Sequence, residues 1–207
     1  MKFLPPSVTM AAALLALTTL TGCSVKSSSS KGYLPYDIKD PSAYGGTNSD
    51  SSPITDSVSH WEGEGVRGQP KIVIDISDQR AYFYKDAQLV GVSKISSGRD
   101  GFNTPTGQYK ITQKSKDHRS NLYGDYVRAD GTVVQKDVDV TKDPMPAGAK
   151  FLGASMPYFM RFHGGVGLHA GYLPGWADSH GCVRMPEYMA EIYFRNVSLK
   201  TPVVVQQ

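Results

Sequence analysis

The chain has 207 residues, enough for one domain with flanking segments but not for two full domains. Hydrophobic residues make up 40% and charged residues 20%, so a buried core is within reach. The formal net charge is +3, and no stripe of Lys or Arg runs through the sequence, which excludes an electrostatic nucleic-acid footprint.

The first 22 residues read as an export leader. Met1-Lys2 gives a positive start, and Met10 to Leu20 is an almost unbroken apolar run, too short to span a bilayer comfortably. The run ends in Leu20-Thr21-Gly22-Cys23, which looks like a bacterial lipobox. Cleavage there makes Cys23 the acylated mature N-terminus, and the acyl chains anchor the protein without spanning the membrane. With Lys2 removed, 21 basic side chains face 19 acidic ones. Ser24 after the cysteine does not read as an inner-membrane retention signal. The expected place is therefore the periplasmic face of an outer membrane, given a host that has one.

Residues 23–68 read as the lipidated N-terminus and a flexible linker. Eleven Ser, six Gly and three Pro fill the 45 residues from Ser24 to Gly68, without apolar periodicity. Such a segment buries too little surface to offset its ordering entropy. As a coil it reaches on the order of 35–40 Å.

A folded domain is expected over residues 69–207. Lys71 to Ile76 is β-branched and apolar, a strand signal. Ser77-Asp78-Gln79-Arg80 turns, and Ala81 to Lys85 and Gln88 to Ser93 form a hairpin about Asp86-Ala87. Ser96 to Gly107 is a long Gly/Pro loop, after which Gln108 to Thr112 resumes strand character. Residues 113–150 are polar and read as irregular, with a short strand at Thr132-Val133-Val134. Met156 to Phe162 is an aromatic strand and Val166 to His169 a short one. Pro186 is a good first helical residue, and Met185, Met189, Ile192 and Tyr193 follow helical spacing. Lys200 to Val205 closes as a strand. The pattern is a mainly β sandwich or barrel-like domain with one principal helix.

The chemistry concentrates in Gly167 to Pro186, where a cysteine, two histidines and an arginine fall within sixteen residues. Cys182 and Cys23 are the only two cysteines. With Cys23 acylated, Cys182 has no disulfide partner in the chain, leaving a small buried side chain, an intermolecular bridge or a nucleophile. A thiol becomes nucleophilic beside an imidazole, a cation or a helix N-terminus. His169, Arg184 and the helix opened by Pro186 offer all three. Gly181 permits a sharp turn, and backbone N–H groups there could hold an oxyanion.

Ser179-His180-Gly181-Cys182-Val183-Arg184, with Gly167-Leu168-His169-Ala170-Gly171 upstream, resembles the L,D-transpeptidase family (YkuD-type catalytic domain). Asp78-Gln79-Arg80, Ser97-Gly98, Thr104-Pro105-Thr106-Gly107 and Met156-Pro157-Tyr158 extend the likeness over about residues 70–205. The resemblance implies a β-rich L,D-transpeptidase-like fold acting on peptidoglycan stem peptides, without metal or organic cofactor. It implies Cys182 as nucleophile and His169 as base, with Ser179, His180, Gly181 and Arg184 shaping the site and positioning substrate. Gly181 and Cys182 N–H groups would lie near the oxyanion. Nine residues separate His169 from Ser179; many members space the histidine further upstream, as His163 would be with fifteen. His169 is favoured for its Gly-Leu-His-Ala setting, and His163 reads as a structural residue at a strand end. Arg184 stands where some members have Asn. The acyl acceptor stays open between a stem amine, a lipoprotein lysine and water. Two rivals remain: a zinc hydrolase using His163, His169, His180 and Cys182, and a non-catalytic wall-binding lipoprotein.

Overall fold

The computed structural model describes Met1 and residues 56–207; the leader, Cys23 and most of the expected linker lie outside the described residues. Among the described residues eleven strands and one helix follow in order: β1 (His60–Trp61), β2 (Pro70–Asp75), β3 (Arg80–Lys85), β4 (Gln88–Lys94), β5 (Gly107–Lys110) and β6 (Gln113–Val127). Then come β7 (Val133–Asp139), β8 (Lys150–His163), β9 (Val166–Ala170), β10 (Val183–Met185), α1 (Glu187–Asn196) and β11 (Pro202–Gln206).

They form two sheets. One has the order β1-β4-β3-β2-β11-β5, the other β10-β9-β8-β6-β7. Side chains alternate across a strand, so each sheet gives one face to a shared core. Ile72, Ile74, Ala81, Phe83, Val203 and Val205 come from the first sheet. Met160, Phe162, Leu168, Ala170, Val183 and Met185 come from the second. Each fully buried aliphatic or aromatic side chain contributes roughly 1.5–3 kcal/mol. The mainly β expectation holds, as does the single late helix. Pro186 sits at its N-cap, and Met189, Ala190 and Tyr193 are its buried residues. The Tyr193 hydroxyl donates to the Ala81 carbonyl at 2.7 Å, tying the helix to the first sheet.

Two sequence expectations need correction. The ordered domain begins before Gln69. Trp61 packs edge-on against Phe83 at 5.2 Å and near Tyr193 at 6.3 Å. It covers Gly91, where a Cβ would lie 2.6 Å from the indole. Lys85 closes the following turn, donating to the carbonyls of Gly63 at 2.9 Å and Val66 at 2.7 Å. The Ser/Gly composition concealed this because the anchoring comes from a few scattered side chains, Trp61 and Asp56 among them.

The second correction is the segment 113–150. It holds β6, a 15-residue strand, and β7, which runs to Asp139 beyond the expected Thr132–Val134. Both are polar because one face of this sheet meets solvent, which weakens the hydrophobic alternation that marks strands. β6 also carries a bulge. Arg119 pairs with Ser155 and Gly124 with Gly153, so five steps of β6 span two of β8. Gly153 has no Cβ where the Ser120 carbonyl passes, and the loop-out carries Tyr123 toward the site.

Candidate active site

The second sheet turns one face inward and one outward. Leu168 and Ala170 of β9 and Val183 and Met185 of β10 enter the core. By alternation Gly167, His169, Cys182 and Arg184 share the opposite face. β9 and β10 run parallel, with Leu168 opposite Val183 and His169 opposite Arg184. One step back, Cys182 lies opposite Gly167. On the other side of β9, Arg161 of β8 pairs with Gly167. The row across the sheet is therefore Arg161, Gly167, Cys182, with His169 two residues along. This register places His169 and Arg184, two of the three expected partners of the thiol, on the face of Cys182.

His169 is buried, with 6% of its surface exposed. Its Nδ1 lies 2.8 Å from the Ala170 carbonyl. A carbonyl can only accept, so Nδ1 carries the proton and Nε2 keeps its lone pair. Burial pushes the His169 pKa down to about 4, and Arg184 adds to the shift. The imidazole is thus neutral at physiological pH.

Cys182 is partly exposed and its thiol is free. The thiol donates toward the Gly165 carbonyl at 3.8 Å. Burial pushes its pKa up, opposed by the Gly167 N–H and the charges of Arg161 and Arg184. At rest the thiol and the imidazole that share this face are thus both neutral. The expected helix N-terminus does not assist. Strand β10 intervenes, and the five residues from Cys182 to Glu187 cover roughly 15 Å in extended chain. A helix dipole falls off within about one turn.

The Ser179–Cys182 loop is braced from several directions. The buried Ser179 hydroxyl donates to the Cys182 carbonyl and accepts from the Gly181 N–H at 3.1 Å. Gly181 has φ +107°, a region that favours glycine. Its N–H is committed to Ser179, so of the two expected oxyanion donors this one is occupied at rest. Ser179 N donates to the Ser97 carbonyl at 3.0 Å, and Arg99 N donates to the Ser179 carbonyl at 2.9 Å. Thr104 accepts from Gly98 N at 2.9 Å and donates to the Gly181 carbonyl at 2.8 Å. Gln79 reaches in from the β2–β3 turn, accepting from Ser97 N at 2.9 Å and donating to Ser97 Oγ at 2.7 Å.

His180 is held by Arg99 and two aromatic rings. Its Nε2 accepts from the Arg99 guanidinium at 2.7 Å, because arginine has no acceptor. Tyr123 stacks on the ring at 4.4 Å and Phe102 meets it edge-on at 4.8 Å. Burial and the charges of Arg99 and Arg184 push its pKa down. Arg184 pairs with Asp178 at 3.0 Å. His163 is exposed and turned to Tyr109 at 4.8 Å. His118 stacks on Phe159 at 4.2 Å near Arg161. Among the described residues no three His, Cys, Asp or Glu side chains are grouped to hold a metal ion.

Sequence reasoning missed Arg99, Arg161 and Tyr123 as neighbours of this site and gave Thr104, within the Gly/Pro loop, no role in it. Only Thr104 carried a local signal, the Thr-Pro-Thr-Gly run. The others reach the site through sheet register and the β6 bulge.

These features define a two-sheet β domain that presents a thiol and a neutral imidazole on the outer face of three adjacent strands. The YkuD family model, described as the L,D-transpeptidase catalytic domain, matches residues 69–205, and the chain belongs to that family. Among solved structures, an L,D-transpeptidase from Mycobacterium smegmatis is 20% identical with a TM-score of 0.50, covering 67% of this chain and 59% of that one. Residues 123–326 of the L,D-transpeptidase from Xylanimonas cellulosilytica are also 20% identical with a TM-score of 0.50, covering 68% and 61%. The chain thus spans about three-fifths of these structures, and at such identity the likeness concerns the fold. A search of curated proteins returns no match.

Proposed function

We propose that the protein is a peptidoglycan L,D-transpeptidase that forms a thioester between Cys182 and a stem peptide and transfers the acyl group to an amine. The observation that carries this reading is the His169 tautomer. With Nδ1–H fixed on the Ala170 carbonyl, Nε2 is left as the proton acceptor on the face that Cys182 shares. A neutral base beside a neutral thiol suits general-base attack, in which the proton leaves as the sulfur bonds.

The steps balance as follows. Cys182 Sγ bonds to the carbonyl carbon at the L-centre of the third stem residue while its proton passes to His169 Nε2. The C–N bond to the terminal D-alanine breaks, and His169 returns that proton to the leaving amine. The acceptor amine then attacks the thioester, gives a proton to His169, and the sulfur leaves and regains it. Ser179, Gly181 and Thr104 hold the loop that sets the sulfur, while Arg184 and His180 border it.

Membrane attachment through acylated Cys23, at the periplasmic face of the outer membrane, belongs to the same proposal. Fatty-acid labelling of the wild type and its absence in Cys23→Ser tests it. The activity is tested by mass spectrometry of stem peptides incubated with the protein. Loss of D-alanine with gain of an amine-linked stem supports transfer. Loss of D-alanine alone identifies a carboxypeptidase. No change with either peptide, together with full biological function of Cys182→Ala, favours the non-catalytic wall-binding role.

A further inference from the structure

Arg161 is a cation without an anionic partner beside the nucleophile. Its Nε donates to the Gln113 carboxamide at 2.8 Å and one terminal nitrogen donates to the Gly164 carbonyl at 2.7 Å. Both acceptors are neutral, and no salt bridge to Arg161 exists among the described residues. Phe159 supports the guanidinium from below at 5.2 Å. Two of five N–H donors are used, so the fork is fixed while three donors remain.

Its position relative to the thiol follows from register. Arg161, Gly167 and Cys182 stand in one row across β8, β9 and the start of β10. Two strand spacings put the outer Cα atoms roughly 10 Å apart. Gly167 has no side chain of its own; a Cβ there would lie 2.5 Å from the Phe159 ring and 2.6 Å from the Met160 carbonyl, so the buried Phe159 ring forms the floor of the row. The two side chains also converge on one turn: Arg161 bonds the Gly164 carbonyl and the thiol faces that of Gly165. Arg184, the other cation near the sulfur, is already paired with Asp178 at 3.0 Å. Arg99 donates to His180 at 2.7 Å and lies outside this row. Among the described residues Arg161 is thus the cation in the row of the thiol that has no carboxylate partner.

We propose that Arg161 is the anchor for the carboxylate of the acyl donor, selecting donors whose leaving residue ends in a free carboxylate. The inference rests on the transpeptidase reading. In a donor ending one residue beyond the attacked carbonyl, the carboxylate carbon lies roughly 3.5–4 Å from that carbonyl carbon. For a donor laid along the Cys182–Arg161 row, a sulfur in contact with the carbonyl puts the carboxylate on the Arg161 side of Gly167, toward the guanidinium. A preorganised fork binds a carboxylate through two parallel N–H···O bonds. It also orients the scissile bond.

Alkylation of Cys182 tests the anion site without relying on turnover. Rates with iodoacetate and iodoacetamide are measured on the full chain, and their ratio cancels changes in thiol pKa or access. Relative to free cysteine, the wild-type ratio should favour iodoacetate by about three- to tenfold at low salt, narrowing at 1 M salt. Arg161→Gln should remove the preference, Arg161→Lys should keep most of it, and Lys71→Gln on the other sheet should not change it. In turnover, a donor with a C-terminal carboxylate should exceed its carboxamide by about ten- to a hundredfold in kcat/KM, mostly through KM. That preference should vanish in Arg161→Gln. An alkylation ratio unmoved by Arg161→Gln overturns the anion site whatever the activity. A lost ratio with an intact carboxylate preference overturns the assignment to the donor. A lost ratio in a protein that turns over no donor peptide removes the transpeptidase reading and with it the donor role, while keeping Arg161 as an anion site.

Discussion

The Thr104 hydroxyl donates to the Gly181 carbonyl at 2.8 Å, joining positions 77 residues apart. The same oxygen accepts from Gly98 N, so one buried side chain fixes both the Ser96–Gly107 loop and the turn that carries Cys182. Thr104→Val keeps the shape and removes both bonds, leaving the Gly98 N–H and the Gly181 carbonyl unpaired in a buried setting. The expected cost is about 1–3 kcal/mol of stability. A shift of the sulfur should lower kcat by about ten- to a hundredfold with KM little changed. Thr104→Ser should restore both values. Denaturant melts and steady-state kinetics on the three proteins measure this. A Thr104→Val enzyme with wild-type kcat would show that the loop holds its geometry without the bridge.

Much of the site was legible because it is local. Ser179 to Arg184 is contiguous, and His169 lies within the same Gly-rich stretch, so residue types alone indicated a thiol and a base. The surroundings were not legible. Arg161 faces Cys182 only because β8, β9 and β10 align it across Gly167. Tyr123 reaches His180 through a bulge that no composition signal marks. The helix expectation failed at the thiol for a simple reason: Val183 to Met185 are too short a strand to stand out, yet they move the helix start away. The core strands were readable because both neighbours of each are covered, as with Ile72 and Ile74, whereas β6 meets solvent on one face.

The Trp61 anchor makes a boundary prediction. A domain starting at Asp56 keeps Trp61 over Gly91, and the Asp56 carboxylate accepts from the Tyr188 hydroxyl at 3.1 Å. A domain starting at Gln69 loses both. The shorter form should fold but melt with about 3–5 kcal/mol less stability, the range for removing a large aromatic from a packed site. Trp61→Ala in the longer form should account for most of the difference. Equal stability of the two forms would return residues 56–68 to the linker.

The resting charge state gives a spectroscopic prediction. With burial holding Cys182 above its ordinary value, thiolate absorbance at neutral pH should be absent and should grow only in the alkaline range. Iodoacetamide alkylation should rise over the same range. A thiolate band at pH 7 would indicate the ion pair instead.

His169 also couples stability to acid. Its folded pKa is about 4 against 6.5 when free, so below 6.5 the unfolded chain binds the extra proton. Stability is therefore lost as pH falls from about 6.5 toward 4, and is full above that window. Between pH 7 and pH 4.5 the loss from this residue is about 2–3 kcal/mol. His169→Asn should lack that increment in paired denaturant melts, even if it is less stable at pH 7. Identical acid losses in the two proteins would place a charged or solvated imidazole at this position.

Covalent trapping bears on the catalytic assignment itself. An activated thiol with a nearby base should open a strained acyl donor and stop at the thioester if the site favours an amine over water. The resemblance to L,D-transpeptidases implies carbapenems as such donors. Incubation should add one intact drug mass to the peptide that contains Cys182, read by mass spectrometry. Cys182→Ser should lose the adduct, since a hydroxyl beside a neutral imidazole is a far weaker acid than a thiol. His169→Ala should slow adduct formation by about two to four orders of magnitude, the worth of a positioned base. Raising the pH should recover part of that loss, because the thiolate then forms without help. His163→Ala should react at the wild-type rate, its ring lying against Tyr109. A folded wild-type protein that forms no adduct, or a Cys182→Ala variant that does, would remove Cys182 as the nucleophile. A His163→Ala rate as low as that of His169→Ala would move the base to the more distant histidine.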